Sequence, residues 1–380
     1  MTQYISTKMS LEIREVISKK DFKEFVDVQF DIYKNNKYWV PPIKKDEIKA
    51  LNPTHNPAFR FCKAKFWIAT KDGKCVGRIG AIINNDYNKK TGEKTGRFSR
   101  TEFIDDKAVS KILFDTAEKW LKNEGMTKIQ GPLGFTNLDH QGMLVEGFDH
   151  LPSAASEYHL PYYQEHMIAN GFEKEIDWIE FRLFLEGVPE KAKRVAEVIK
   201  TRNGLTVKSF TNSNELRPFA FELFDILNIA FKELFSVVHL DKEKIDYYLS
   251  RYLMLLNPEF VKIISDAEGK TVAFIVGLPS LSEGLQKAKG KIFPFGWYHI
   301  KQSLKKPKVV DLMLTGILPD YQGKGVAAIL INELQTVMEK YGVTEVETTG
   351  IFEDNQKAIQ NWKNYENIQH KRKRCWKKNL

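Results

Sequence analysis

Cysteine is scarce in this 380-residue chain: Cys62, Cys75 and Cys375 are an odd number without C-x-x-C spacing, so neither a disulfide framework nor a cysteine zinc site is indicated, and no metal is expected. Long apolar runs are absent as well. None approaches the roughly 18 residues of a membrane span, and Met1 to Ser10 is too polar for a signal peptide, so a cytoplasmic protein without a membrane span is the expectation. Two familiar phosphate-binding patterns are also missing. There is no Gly-x-x-x-x-Gly-Lys-Ser/Thr loop, and no Gly-x-Gly-x-x-Gly with an acid about 20 residues on. Acidic charge is in deficit, since 58 Lys and Arg against 49 Asp and Glu leave a formal charge of +9. That balance suits an anionic partner, although most of the excess belongs on solvated faces. Nucleic acid is not the expected partner, because the dense basic run, Lys371 to Arg374 with Lys377 and Lys378, falls in what reads as the last strand.

What is present centres on Leu314 to Leu330. Val309 to Leu318, polar only at Asp311 and Thr315, reads as a buried strand that stops at Pro319, because proline cannot continue a ladder. A helix is predicted over Val326 to Lys340. Between them, Gln322-Gly323-Lys324-Gly325-Val326-Ala327 has no bulky side chain at its two glycines, so its backbone N–H groups can lie close to a ligand. Unpaired amides and the positive end of the helix dipole then point at one spot, which makes an anion site. A glycine-rich turn that binds nothing is the plain alternative.

With 42% hydrophobic and 12% aromatic residues, the chain describes a folded, soluble protein long enough for two domains. One order of elements occurs twice. Glu12 to Ile17 alternates like a strand, and Ser18 can cap a helix with the stripe Phe22, Phe25, Val26, Phe30 and Tyr33. A hairpin follows, Ala64 to Thr70 and Cys75 to Asn84, turned by Asp72-Gly73, and then a helix over Lys107 to Asn123. The second half offers a strand at Leu205 to Phe210, a cap at Thr211 or Ser213 and a helix over Leu216 to Phe231. Its hairpin is Phe260 to Ser265 and Thr271 to Leu278, turned by Glu268-Gly269. Asp72-Gly73-Lys74-Cys75-Val76-Gly77 matches Glu268-Gly269-Lys270-Thr271-Val272-Ala273, as expected of a duplicated plan. The expected division is a domain over 1–188, a linker helix over 189–204 beginning at Pro189, and a domain over 205–380. Only the second half carries the segment Leu285 to Lys308, with Phe293-Pro294-Phe295-Gly296-Trp297-Tyr298 and a basic stretch. It reads as a wall or lid of a pocket, or as a surface elaboration; a membrane-surface role is weaker, since few residues would insert.

Ile317-Leu318-Pro319 and Gln322 through Ala327 resemble motif A of the GNAT superfamily of acyl-CoA N-acyltransferases, Gln/Arg-x-x-Gly-x-Gly/Ala after a strand ending Val/Ile-x-Pro. The matching place in the first half, Thr101 to Lys107, has no glycine and three acids, and is not expected to bind coenzyme A. Tyr158 to Tyr163 followed by Gly171-Phe172 nevertheless resembles the end of the same fold. The resemblance implies an α/β fold of the α+β mixed-sheet type, with two GNAT-like acyl-CoA N-acyltransferase domains in tandem and the first copy degenerate. Mycothiol synthases, N-myristoyltransferases and Fem-type aminoacyltransferases share that arrangement. The implied activity is acyl-CoA-dependent N-acylation, most simply N-acetylation, with acetyl-CoA or another acyl-CoA as donor and a small-molecule or peptide amine as acceptor.

Carried over residue by residue, the amides of Gln322, Gly323, Lys324, Gly325, Val326 and Ala327 hold the pyrophosphate. The Ile317 N–H, with Leu318 beside it, meets the thioester carbonyl, and Asn355 touches the pantetheine or pyrophosphate region. The family's general-acid tyrosine is Trp362 here, and an indole is no acid. Tyr365 is the nearest phenol, either as general acid or as a core aromatic with a bonded hydroxyl. Glu233, Asp311 and Glu347 are base candidates by placement alone, and each also suits a surface or capping role. His239 and His299 suit structural roles, and the loop Gly131 to His140 either shapes the acceptor pocket or is a plain turn. Two rivals stay open. A Fem-like transferase using aminoacyl-tRNA calls for a basic groove between the domains, and a non-catalytic coenzyme-A-binding sensor would explain Trp362.

Overall fold

Among the described residues, alternating and β-branched segments form seven strands in each half. The first half holds β1 (Leu11–Glu15), β2 (Cys62–Lys71), β3 (Lys74–Asn84), β4 (Thr95–Phe103), β5 (Lys128–Gly131), β6 (Met143–Glu146) and β7 (Glu173–Phe184). The second holds β8 (Thr206–Ser209), β9 (Val261–Ser265), β10 (Thr271–Pro279), β11 (Val309–Ile317), β12 (Glu345–Thr348), β13 (Ile351–Phe352) and β14 (Glu366–Asn379). The structure, a computed structural model, describes residues 10–380 apart from 154, 189 and 364, so the expected helix start at Pro189 and nearly all of Met1 to Ser10 lie outside the described residues.

Local chemistry explains several element ends. Ser18 caps the helix Lys19–Ile32 in a capping box with Asp21, and Asp72-Gly73 takes two positive φ angles as a tight hairpin demands. The counterpart helix departs from expectation. Its cap is Asn212 rather than Thr211 or Ser213, and Pro218 splits it into Ser213–Leu216, a short 3₁₀ turn and Ala220–Ala230. The strand expected over Glu347 to Asn355 is also broken, into β12 and β13, at Gly350, where Trp178 packs against the backbone.

The sheet runs β1-β2-β3-β4-β5-β14-β7-β12-β11-β10-β9-β8, with β6 on β14 and β13 on β7. Each half has therefore given its last strand to the other. β14 lies between β5 and β7, and β7 lies between β14 and β12, so one mixed sheet crosses the whole chain. Charge matches along this exchange. Lys377 meets Glu175, Arg372 and Arg374 meet Asp177, and Lys371 and Lys373 meet Glu180. The basic run is spent inside the sheet.

Two clasps hold the halves beside the seam, and each repeats the other. In one, Lys244 Nζ meets Asp86 at 2.9 Å, Arg97 Nη2 donates to Ser236 O at 3.2 Å, and the Thr136 and Tyr248 hydroxyls bond. The loop Gly131 to His140 is thereby docked on the second half. In the other, Gln286 Nε2 donates to Lys37 O at 2.9 Å and Trp39 O at 3.0 Å, and Lys44 N–H donates to Gly290 O at 3.0 Å. This clasp uses the segment between β10 and β11, which folds as the helices Ser282–Ala288 and Gly296–Lys305. That segment meets the first residue of β11, and the glycine loop follows the last. The nine residues between span roughly 30 Å, so the segment is no lid over that loop.

Candidate active site

β11 pairs with β12 only from Val309 to Leu312, after which the two strands part. An extra residue at Met313 shifts the register of β11 on β10 at the same place. Beyond it β11 is bonded on one side, and alternate N–H groups turn to the gap. Leu318 N–H donates to Val272 O at 3.0 Å, so the alternation directs the N–H groups of Ile317 and Thr315 into the gap. Leu318, expected beside Ile317, instead points its N–H into the ladder. Thr315 escaped the sequence reading, although period two along the strand was the signal that would have found it.

The loop after β11 starts with a 3₁₀ turn over Pro319–Tyr321, and Gly323 (φ +73°) and Gly325 (φ +80°) then lie in the left-handed region that suits glycine. The helix Val326–Tyr341 begins at Gly325 without any side-chain cap. It is anchored by Val326, Ile329, Leu330, Leu334 and Met338, all buried, each worth about 1.5–3 kcal/mol of apolar burial. A Cβ on Gly325 would strike Ile199 of the helix Glu190–Arg202, whereas one on Gly323 would have nothing within 4 Å. One side of the loop is buttressed and the other is open. Gln322 Nε2 steadies the turn by donating to Ile317 O at 3.1 Å, and Lys324 is exposed. A polar recess of about 440 Å³ next to the loop has three acids, Asp266, Glu268 and Asp320, to two lysines. Acidic on balance, that recess does not suit an anion.

The same frame in the first half is closed. β4 pairs with β5 only from Thr95 to Arg97, and its register shifts near Arg100. Phe103 stands where Ile317 does, opposite Gly77 as Ile317 is opposite Ala273. Its N–H donates to Tyr163 Oη at 3.0 Å, and its carbonyl accepts from Tyr163 Oη at 3.2 Å and from Tyr162 Oη. Only Ile104 to Asp106 separate β4 from the next helix. Asp106 caps that helix at Ala108 N–H (2.9 Å), Asp105 meets His166 Nε2 at 2.9 Å, and Glu102 is held by Arg78.

Asp311 and Glu347 are register partners across β11 and β12, so their carboxylates share one face of the sheet, and both are buried. Arg182 binds Glu347 through Nε at 2.7 Å and through Nη2, while His370 Nε2 and Lys371 Nζ approach its other oxygen. Glu180 is held by Lys373 Nζ at 2.9 Å and by the Ser156 hydroxyl. Lys371 also donates to Leu151 O at 2.6 Å, so a first-half segment covers this ionic layer. Burial works to raise the pKa of Glu347, but His370, Lys371 and Arg182 outweigh it and hold the group at about 2. Sequence reading named Asp311 and Glu347 but missed Glu180, Arg182, His370, Lys371 and Lys373. Complementary charge along β7 and β14 was the signal.

The other expected residues are dispersed. Tyr365 Oη donates to Gln335 Oε1 at 3.0 Å, and burial pushes its pKa up. With Trp362, Leu312 and Val346 it lines a slot of about 20 Å³ under the helix Val326–Tyr341, room for a water or so and not for an acyl chain. Asn355 Oδ1 caps the helix Gln356–Ile359 by accepting from Ala358 N–H at 3.1 Å. Glu233 is 85% exposed beside Lys232, apart from the buried acids.

Residues 223–365 match the model of the Acetyltransferase (GNAT) family. Protein YghO of Escherichia coli (strain K12) is 29% identical over 352 residues, spanning 90% of this chain and 89% of that protein. A Caulobacter vibrioides (strain NA1000 / CB15N) protein named bacterial ceramide synthase is 26% identical over 324 residues, 83% of each chain. Among solved structures, a tandem GNAT protein from the clavulanic acid biosynthesis pathway is similar with a TM-score of 0.55 at 13% identity, covering 97% of this chain and 98% of that one. At that identity the likeness speaks for the fold, and it extends over both halves.

Proposed function

We propose that this chain, a tandem member of the GNAT superfamily, moves an acyl group from a coenzyme A thioester to a primary amine. The observation that carries the reading is one juxtaposition: a glycine loop ahead of an uncapped helix, next to strand N–H groups that face a gap in the sheet. In this reading the donor's pyrophosphate lies over the amides of Gly323 to Ala327, with Lys324 adding charge and Gln322 holding the turn. The N–H groups of Ile317 and Thr315 then polarise the thioester carbonyl, and Asn355 fixes the short helix on the far wall. The amine nitrogen bonds to the carbonyl carbon as the C–S bond breaks. Asp311, on the strand that borders the gap, takes the amine proton through water. Glu347, held at a pKa of about 2 by its ion pairs, is too weak a base for that step. The departing thiolate takes its proton from water, since Tyr365 Oη is bonded to Gln335 in a slot without room for the donor. Glu233 has no part in this arrangement. The name of the Caulobacter relative adds a long-chain amine to the acceptors to be screened.

Calorimetric titration with acetyl-CoA and palmitoyl-CoA tests the donor site. Ala328→Glu places a carboxylate at the third helical position, which favours the helix while occupying its free amides. Binding by the parent that weakens at least about tenfold in a variant of unchanged melting temperature supports the reading. A parent that binds neither thioester overturns it.

A further inference from the structure

Ile292, Phe293, Phe295, Trp297 and Tyr298 are all exposed, Phe293 by 77% and Phe295 by 71%, within seven consecutive positions of the segment between β10 and β11. They are not loosely held. Lys291 N–H donates to Ala288 O at 3.0 Å, Trp297 N–H to Ile292 O at 2.8 Å, and Trp297 Nε1 to Pro294 O at 2.9 Å. Folding therefore fixes an apolar tip in water instead of collapsing it onto the adjacent core. Seven exposed lysines flank it: Lys287, Lys289, Lys291, Lys301, Lys305, Lys306 and Lys308. From Ser280 to Lys308 the one acid is Glu283, 3.8 Å from Lys287.

We propose that this tip docks into the interface of an anionic phospholipid bilayer, with the aromatic rings at headgroup depth and the lysines against lipid phosphates. Rings that carry a polar edge suit that boundary, and stable anchoring takes two signals, such as inserted apolar surface together with a polybasic patch. A narrow aromatic tip between lysines of one sign matches a negatively charged surface better than an apolar protein groove. The tip lies at the opposite end of β11 from the glycine loop, so docking leaves that loop in water. The inference rests on this segment alone and stands apart from the acyl-transfer reading.

Sedimentation of the full chain with phosphatidylcholine vesicles, with and without phosphatidylglycerol, tests it. The parent is expected to bind the anionic vesicles at least about tenfold better than the neutral ones, with loss of binding as salt rises. Phe293→Ser with Phe295→Ser is expected to abolish binding while the melting temperature holds, since both side chains are exposed. Lys291→Glu with Lys301→Glu is expected to remove the preference for anionic lipid. A parent that stays in the supernatant with both vesicles overturns the proposal and leaves the tip to a protein partner. A serine variant that binds like the parent overturns it as well.

Discussion

Phe103 and Ile317 occupy the same place in two copies of one frame, and only one of them faces an open gap. In the first half a phenol fills the gap, bonding both the N–H and the carbonyl of Phe103, and an aspartate caps the following helix after three residues. In the second half eight residues, two of them left-handed glycines, lead to a helix start without a side-chain cap. The split strand pair is therefore not a site by itself. Whether it can hold a ligand depends on what completes the hydrogen bonds its geometry leaves open.

That contrast can be broken at the seam the two copies share. Lys371→Ala leaves Glu180 and Glu347 short of a buried partner, and denaturant unfolding should show a loss of about 3–5 kcal/mol; a loss below about 1 kcal/mol would mean that the ionic layer does not hold the halves. Acid should act next. His159 accepts Leu144 N–H at 3.1 Å and is held neutral by burial, with a pKa of about 4 against the usual 6.5. The unfolded chain binds the extra proton between these values, so stability falls as pH drops through that window, by up to about 3 kcal/mol. Glu347 adds a further loss between pH 4.5 and about 2, where again only the unfolded state gains a proton. Urea midpoints measured across pH 7 to 3 check both signs.

Smaller changes sharpen the comparison between the clefts. Gly325→Ala combines a strained φ with the Ile199 contact, and a loss of about 1–3 kcal/mol is expected; Gly323→Ala, strained but uncrowded, should lose less. Tyr163→Phe removes the hydroxyl from Phe103 and should lower stability by about 1–2 kcal/mol. Acyl-CoA stoichiometry by calorimetry should stay at one, and a second binding event would show that Tyr163 alone closes the first cleft. Asp106→Ala, which uncaps one helix, should lower the melting midpoint least, by about 1 kcal/mol in free energy.

Much of the second cleft was legible because it is local. Pro319, Gly323 and Gly325 act on their own backbone angles, and the strand and helix on either side show their periods within a few residues. The duplicated order could be read for the same reason. The break at Pro218 was legible in principle, but the apolar helical stripe masked it. The partners of β7 and β14 were not read from periodicity, because an alternating strand carries the same pattern whichever edge it joins. The run of Lys371 to Arg374 reads as part of the last strand, but its pairing with Asp177 and Glu180 on β7 is set by the fold.

The residue order by itself determined that one half has a glycine loop after its fourth strand and the other has acids there, since backbone freedom and a missing side chain are properties of the residue alone. Only the tertiary structure decided that Tyr163 would close the Phe103 cleft from 60 residues away, and that each half would complete its sheet with the other's last strand. Those outcomes depend on which distant groups satisfy a buried N–H or a buried charge, and that choice is made only when the chain has brought them together.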